Sequence, residues 1–447
     1  MKTQVRPRRS RGGTKQPALR GRGGKTPPQT DRLADRMGLL GTETAFEVLA
    51  RAKTLEAAGR SIIHLEIGEP DFDTPEHIKE AAIRALRDGY THYTPAAGML
   101  ELREAIAEYV GRTRGIAVGP DHVVVTPGAK PIMFFVMLAL VNPGDEVVYP
   151  DPGFPIYESV ARFIGARPVP WTLREDREFR ADPEDLRKAV GPRTRLVILN
   201  SPHNPTAGVL SRRDVEDIAG IVRGRPITVL SDEIYSRILY DGTFSSIASV
   251  PGLQEQTVIL DGFSKTYAMT GWRLGYGVMR PSLAARIAQL MVNSNSCTAA
   301  FTQMAGIAAL RGPQDSVDRM VAEFRRRRDV ITDGLTRLPG VRCFRPHGAF
   351  YAFPNVRAID PDTGRLQEYL LNEAGVALLS GTAFGVQGRG FLRLSYATSV
   401  EVITEGLRRI GQAIEHYTPS GRGRSVQAPV VRTPSVKTRV SAPRYRR

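Results

Sequence analysis

Residues 258–273 read VILDGFSKTYAMTGWR, and their pattern decides both the fold and the candidate chemistry. The apolar, β-branched start predicts a buried strand over Val258 to Asp261 that ends at the following glycine. Lys265 comes next, and Arg273 follows it by eight residues. A lysine after a strand is normally a solvated charge, but apolar neighbours desolvate this one, which lowers its pKa and exposes its nucleophilic neutral form. Those neighbours are Phe263, Tyr267, Met269 and Trp272.

A second strand end carries an acid. The segment 229–235 reads VLSDEIY, so Asp232 directly follows an apolar run. In an open α/β sheet this position faces the ligand crevice. The alternative is that Asp232 or Glu233 caps the next helix, which is the commoner role of an isolated acid at such a place.

A third junction has the features of an anion site. Thr126-Pro127-Gly128-Ala129-Lys130-Pro131 follows a strand and opens an apolar helix. Free N–H groups and the helix dipole at this point favour a phosphate, and Pro131 is tolerated in the first turn. Taken alone the signal is weak, because many strand-to-helix turns contain glycine and bind nothing.

Short β-branched runs alternate with amphipathic segments between the chain ends, which predicts an α/β fold with a mostly parallel central sheet covered on both faces. The predicted strands are Val123 to Thr126, Glu146 to Tyr149, Leu196 to Asn200, Ile227 to Ser231 and Val258 to Asp261. The predicted helices are Pro75 to Asp88, Leu100 to Arg112, Pro131 to Val141, Arg212 to Val222 and Leu283 to Met291. A smaller C-terminal α+β domain begins near Asp315, with a charged helix that ends by Leu338.

Net charge divides the 447 residues into a neutral centre and two basic ends. The formal charge of +16 comes from residues 1–36, with eleven Lys/Arg against two acids, and residues 417–447, with eight against none. Both ends are poor in large apolar residues, so we predict disordered tails over 1–36 and 418–447, an N-terminal arm and large domain over 37–314, and a small domain over 315–417. Nonspecific contact of the tails with nucleic acid is a possible minor role.

Other classes of protein are disfavoured by composition. The longest apolar run, from Ile132 to Val141, is half the length that a membrane-spanning helix needs, so no membrane partner is expected. The two cysteines, Cys297 and Cys343, form no metal-binding or disulfide pattern, which favours a reducing cytoplasm and no metal.

A phosphate turn, a strand-end acid and a desolvated lysine with a downstream arginine together supply what pyridoxal phosphate needs: a phosphate clamp, an imine-forming amine and a carboxylate for the pyridine nitrogen. From about Gly38 to Tyr417 the chain resembles the class I/II aminotransferases of the aspartate aminotransferase superfamily, fold type I. The matching motifs are Ile67 to Phe72, Tyr93 to Gly98, Asn204-Pro205-Thr206, Asp232 to Tyr235, Ser264-Lys265 with Arg273, and Phe391 to Ser395.

The resemblance implies a role for each motif. Lys265 would carry the cofactor as a Schiff base and move the substrate proton, while Asp232 would keep the pyridine nitrogen protonated. Tyr235 and Asn204 would hydrogen-bond the cofactor's 3′ oxygen. Arg393 would grip the substrate α-carboxylate, aided by a backbone contact from Gly68.

The remaining family positions concern the phosphate, the ring and the partner subunit. Backbone groups of Gly128, Ala129 and Lys130 would clamp the phosphate together with Ser264 and Arg273. Phe154 would stack on the pyridine, although an ordinary core phenylalanine is the alternative. The tyrosine at Tyr93 would reach the phosphate of a neighbouring subunit, which implies a homodimer with shared sites.

The implied activity is ping-pong transfer of an amino group between an L-amino acid and a 2-oxo acid. A carbon–sulfur β-lyase on the same scaffold is the alternative, because substrate fit selects the reaction. A transcription regulator is disfavoured, since the segment before Met37 is too short for a packed DNA-binding domain.

Two departures from the family pattern concern specificity and backbone strain. The usual Asn-Pro-Thr-Gly reads Asn204 to Gly208 with an inserted Ala207, so either Ala207 is strained or Gly208 absorbs the bend. The arginine that reads a distal carboxylate in aspartate enzymes has no counterpart near residues 289–292. Specificity for aspartate or glutamate is therefore not established by the motifs.

Overall fold

The computed structural model describes residues 33–419. Its α-helices are α1 (Thr44–Ala57), α2 (Glu76–Arg87), α3 (Leu100–Arg114), α4 (Lys130–Leu140), α5 (Ile156–Phe163), α6 (Pro183–Ala189), α7 (Arg212–Val222), α8 (Pro281–Ser294), α9 (Ala300–Arg311), α10 (Asp315–Thr336), α11 (Thr363–Tyr369) and α12 (Val400–His416). Its strands are β1 (Ile63–His64), β2 (Val123–Thr126), β3 (Glu146–Asp151), β4 (Arg167–Thr172), β5 (Thr194–Asn200), β6 (Thr228–Asp232), β7 (Thr257–Gly262), β8 (Gly275–Val278), β9 (Tyr351–Ala352), β10 (Val376–Ala377), β11 (Leu379–Ser380) and β12 (Leu392–Ser395).

The central sheet of the described residues has seven strands in the order β2-β8-β7-β6-β5-β3-β4. All neighbours are parallel except β8, which is antiparallel to both β2 and β7. The edge strand β2 and the inner strands β3, β6 and β7 are buried along their whole length, because helices cover both faces of the sheet. The predicted α/β class with a mostly parallel sheet is confirmed.

Parallel pairing places the ends of three strands side by side. Asn200 at the end of β5 lies opposite Asp232 at the end of β6, and Asp232 lies opposite Leu260 in β7. The carboxyl ends of these strands therefore form one edge, and the chain leaves β7 there towards Lys265.

The predicted elements match the structure closely, but the antiparallel strand β8 was not predicted. The strand β2 and the helix α7 have their predicted bounds, and the other predicted strands and helices differ by one to three residues at their ends. In β8, a side chain at Gly275 would put its Cβ 2.2 Å from the backbone nitrogen of Ala129. Glycine has a low strand propensity, so the residue pattern does not indicate β8. Close packing against the turn before α4 nevertheless requires glycine at position 275.

The C-terminal region forms its own small sheet, β11-β12-β9, which is antiparallel. The charged helix α10 begins at Asp315 and ends at Thr336, as predicted. The strand β1 pairs in parallel with β10, so residues 63–64 pack with this region.

The two predicted tails lie almost wholly outside the described residues. Asp35 and Arg36, assigned to the N-terminal tail, belong to a 3-10 turn over Asp35–Leu39. Within residues 33–419, no helix combines the length and the apolarity that crossing a membrane requires.

Candidate active site

A cavity of about 690 Å³ opens where the ends of β5, β6 and β7 face the C-terminal region. It collects most of the residues that the motifs singled out. From the central sheet and its loops these are Ala129, Lys130, Phe154, Asn204, Asp232, Tyr235, Ser264, Lys265 and Arg273, and from elsewhere Gly68 and Arg393. Gly128 and Tyr93 do not line it.

Lys265 follows β7 and projects its amine into the cavity. Its Nζ donates a hydrogen bond to the carbonyl oxygen of Gly68 and lies 5.8 Å from the ring centroid of Phe350. Burial lowers the pKa of Lys265 to about 8, and the positive charges of Arg393 and Arg273 act in the same direction. The amine therefore has a substantial neutral, nucleophilic fraction near neutral pH.

Asp232 ends β6 and is buried at the bottom of the cavity. Its Oδ2 accepts a hydrogen bond of 2.6 Å from the hydroxyl of Tyr157, and its Oδ1 accepts a longer one, 3.3 Å, from the backbone N–H of Ile234. Burial raises the pKa of Asp232 to about 6, and no basic side chain of the described residues opposes that rise. This carboxylate thus lacks a cationic partner, which a pyridinium nitrogen would provide.

Tyr235 and Asn204 flank the same cavity and are held by hydrogen bonds. The hydroxyl oxygens of Tyr235 and Tyr351 lie 2.7 Å apart, and burial raises the pKa of Tyr235 well above its ordinary value. The Oδ1 of Asn204 accepts a hydrogen bond of 3.2 Å from Nη1 of Arg393. Both polar groups therefore have fixed positions.

Arg393, in β12, is a buried cation that forms no ion pair within residues 33–419. Its guanidinium carbon lies 4.6 Å from the ring centroid of Tyr351 and 4.9 Å from that of Phe384, and Nη2 donates to the carbonyl oxygen of Glu66. The Nε atom has no hydrogen-bond partner. Burial lowers the pKa of Arg393, which is the sign of a guanidinium that its surroundings do not neutralise. A carboxylate ligand would satisfy it.

The turn before α4 forms a cradle for an anion. Gly128 has φ of +86°, and a Cβ there would lie 2.2 Å from Nη2 of Arg273. Arg273 itself has φ of 54° and donates a hydrogen bond of 2.8 Å to the carbonyl oxygen of Thr270. The backbone N–H groups of Gly128, Ala129 and Lys130 find no acceptor among the described residues. Free N–H groups at a helix start beside an arginine suit a phosphate, so the donor set fits pyridoxal phosphate.

The side chain of Lys130 turns away from this cradle. Its Nζ forms an ion pair with the carboxylate of Glu43, from the segment before α1, and lies 5.4 Å from the ring centroid of Phe154. Lys130 therefore offers only its backbone to the cradle and its charge to the cavity mouth.

The inserted Ala207 adopts the left-handed conformation, with φ of 59°. Gly208 does not absorb the bend. A Cβ at Gly208 would lie 3.0 Å from the carbonyl oxygen of Glu178, so its glycine serves packing instead. The strain at Ala207 costs about 1 kcal/mol and is tolerated because Ala207 is fully buried and hydrogen-bonded to His203.

Sequence reasoning missed several cavity residues: Tyr157, Asn200, Tyr351, Phe384 and Glu43. Tyr157, in the first turn of α5, follows Phe154 by three residues, and the side chains of both line the cavity. The others carry no local signal, because their neighbours in the cavity are distant in sequence. Tyr93 is 90% exposed and remote from the cavity of its own chain.

Comparisons with known proteins agree with this geometry. Residues 60–410 match the family model "Aminotransferase class I and II". An aspartate aminotransferase of Pyrococcus horikoshii is 40% identical over 86% of this chain and 97% of its own length. A probable aspartate/prephenate aminotransferase of Aquifex aeolicus is 41% identical over 86% of this chain and 98% of its own.

Comparison with a solved structure supports the same family at the level of the fold. The aspartate aminotransferase of Thermus thermophilus with maleate superimposes with a TM-score of 0.83 at 38% identity, over 86% of this chain and 99% of its own. These similarities favour transamination and give no support to the β-lyase alternative. The chain therefore belongs to the class I and II aminotransferases, and it is a pyridoxal phosphate-dependent aminotransferase of fold type I.

Proposed function

We propose that transamination occurs in the cavity around Lys265 and that Asp232, Tyr235 and Arg393 are its other main functional residues. One observation carries this proposal. A single cavity holds an amine with a lowered pKa, a buried carboxylate without a cation and a buried guanidinium without an anion. Burying each of these three groups without a partner destabilises the folded protein. A ligand with groups of opposite or complementary charge would stabilise all three.

Lys265 is the base that moves the substrate proton. When bound, pyridoxal phosphate supplies an aldehyde that condenses with amines and a ring that stores the electron pair left when the Cα–H bond breaks. With a pKa of about 8, Nζ of Lys265 can take up a proton and release it again near neutral pH. The carbonyl oxygen of Gly68 restricts where that amine points.

Asp232 is the carboxylate for the pyridine nitrogen. A cation beside it lowers its pKa from about 6, so it is ionised when the site is loaded. The hydroxyl of Tyr157 holds one of its oxygens at 2.6 Å, which fixes its direction. Tyr235 and Asn204 supply the hydroxyl and the amide for the 3′ oxygen.

The phosphate is assigned to the cradle before α4. Backbone N–H groups of Gly128, Ala129 and Lys130 would hold it, with the side chain of Ser264 as a neutral donor and Arg273 as a charge-assisted one. Phe154, which lines the cavity, would offer an aromatic face to the cofactor ring.

Arg393 binds the substrate α-carboxylate. Its planar fork is supported on two aromatic rings, so a carboxylate that it holds is fixed in direction as well as in place. That orientation presents the substrate Cα–H bond to Lys265.

The enzyme acts as a homodimer in the cytoplasm in this proposal. Tyr93 is 90% exposed and lies outside the cavity of its own chain, as expected of a residue that serves a partner's site. Both cysteines are free, which suits a reducing compartment. Sedimentation equilibrium is expected to give a dimer, and an active monomer would refute the shared-site arrangement.

The covalent role of Lys265 is tested by borohydride reduction of the cofactor-loaded protein followed by peptide mapping. The adduct is expected on the peptide that contains Lys265, and Lys265→Ala should lose both the adduct and the visible absorbance. Lys188→Ala, which removes an exposed lysine of α6, is the control and should keep both. An adduct on any other lysine would sink the assignment.

A further inference from the structure

The mouth of the cavity carries an ion pair that the mechanism does not use. Glu43 is the N-cap residue of α1, and its carboxylate contacts Nζ of Lys130 at the start of α4. The side chain of Glu43 is 21% exposed and that of Lys130 is 47% exposed. Both residues line the same cavity as Lys265.

The cationic side chains of this cavity have separate tasks. Arg393 is assigned to the substrate α-carboxylate, Arg273 to the phosphate and Lys265 to proton transfer. Lys130 is the remaining basic residue among the described residues that line the cavity. Within this chain, Lys130 is therefore the cation left for a second substrate carboxylate, and Glu43 already pairs with it.

The rest of the mouth is largely apolar. Phe46, 60% exposed, lies on the same segment as Glu43, and Ile67, Phe154, Leu379 and Phe384 also line the cavity. Lys130 itself lies over the ring of Phe154. Because Glu43 and Lys130 are paired and Glu69, a further acid of the lining, adds negative charge, the cavity suits an uncharged side chain better than a second carboxylate.

We infer that Glu43 is a specificity-determining residue that selects against dicarboxylic substrates and favours amino acids with uncharged, apolar side chains. The inference rests on the proposed function, since it assigns the α-carboxylate to Arg393. A second substrate carboxylate at Lys130 must either displace the carboxylate of Glu43 or lie next to it. Repulsion between the two negative charges then opposes binding. Glu43 thus acts by repulsion, which is a common route to specificity.

The first test measures binding rather than turnover. Calorimetry on the cofactor-loaded protein compares maleate, a dicarboxylate, with 3-phenylpropionate, a monocarboxylate with an apolar end. Maleate is expected to bind weakly to the original chain and about tenfold or more tightly to Glu43→Gln, because that change frees Lys130. The double variant Glu43→Gln/Lys130→Met should lose the gain. Glu47→Gln, which removes an exposed acid one turn further along α1, is the matched control and should not alter the ratio of the two affinities.

The second test follows single-turnover half-reactions with aspartate and phenylalanine. The ratio of the aspartate rate to the phenylalanine rate should rise about tenfold or more in Glu43→Gln. A chain that prefers aspartate, with no change of the ratio in Glu43→Gln, would overturn the inference while leaving the proposed function intact. Failure with every amino acid would instead count against the proposed function, and the maleate affinities would still decide the role of Glu43.

Discussion

Two arginines, Arg114 and Arg393, are equally removed from water but differ in what surrounds them. Arg114 is 6% exposed and Arg393 is 4% exposed. Arg114 donates through Nε to Glu233 and through Nη2 to Asp261, at 2.9 Å each. Arg393 contacts neutral oxygens and aromatic rings and has an unpartnered Nε. The neighbouring carboxylates raise the pKa of Arg114 despite its burial, whereas burial lowers the pKa of Arg393.

The difference separates a charge that is paired within the fold from one that the proposed function assigns to a ligand. Glu233 follows Asp232 directly, and Asp261 precedes Lys265 by four residues, so Arg114 ties together the two segments that carry the site. Its charge is satisfied within the fold. In the proposed function, Arg393 gains its anion when the substrate carboxylate binds, and binding would then offset the cost of burying this charge.

The largest effect is expected from a substitution at Arg114. The change Arg114→Met leaves two carboxylates buried without their cation, so the free energy of unfolding is expected to fall by about 3–5 kcal/mol. Urea unfolding followed by circular dichroism measures it. Arg212→Met, which removes an exposed pair with Glu216, should leave the midpoint unchanged. A midpoint in Arg114→Met equal to that of the control would show that the cluster is not structural.

At Arg393 the expected loss is catalytic. Arg393→Met removes the proposed carboxylate fork, and kcat/KM for the preferred amino acid should fall by a factor of about 10² to 10³. Steady-state kinetics measures this, and the circular dichroism spectrum serves as the check that the fold persists. A loss smaller than about tenfold would mean that the substrate carboxylate binds elsewhere.

The smallest effect concerns the pH dependence of Lys265. Because the pKa of Lys265 is lowered to about 8, the fraction of this amine in its neutral form rises about tenfold per pH unit below pH 8 and then levels off. The rate at which the cofactor-free protein develops visible absorbance on adding pyridoxal phosphate should follow that curve. An ordinary lysine would give a rate that keeps rising beyond pH 10, and Lys265→Ala provides the baseline.

Local sequence was enough to predict the bottom of the cavity. Asp232 ends a strand, Lys265 and the turn at Gly128 each follow one, and the carboxyl ends of parallel strands meet at one edge. Their chemistry was therefore readable from short segments. The same reasoning missed β8, because its glycines are required by close packing and have low strand propensity.

Contacts between distant segments were not predictable in this way. Glu43 reaches Lys130 across 87 residues, and Tyr235 meets Tyr351 across 116. Neither pairing leaves a pattern in the residues around it. Likewise, nothing near Arg114 in sequence indicates that it joins Glu233 to Asp261.

The sequence by itself was enough to predict the α/β class, five of the seven strands of the central sheet and the family, because each depends on residues close together along the chain. Only the tertiary structure decided which charges are neutralised and which are left for a ligand. That distinction depends on burial and on partners brought together by folding, and these set the pKa values of Lys265, Asp232 and Arg393.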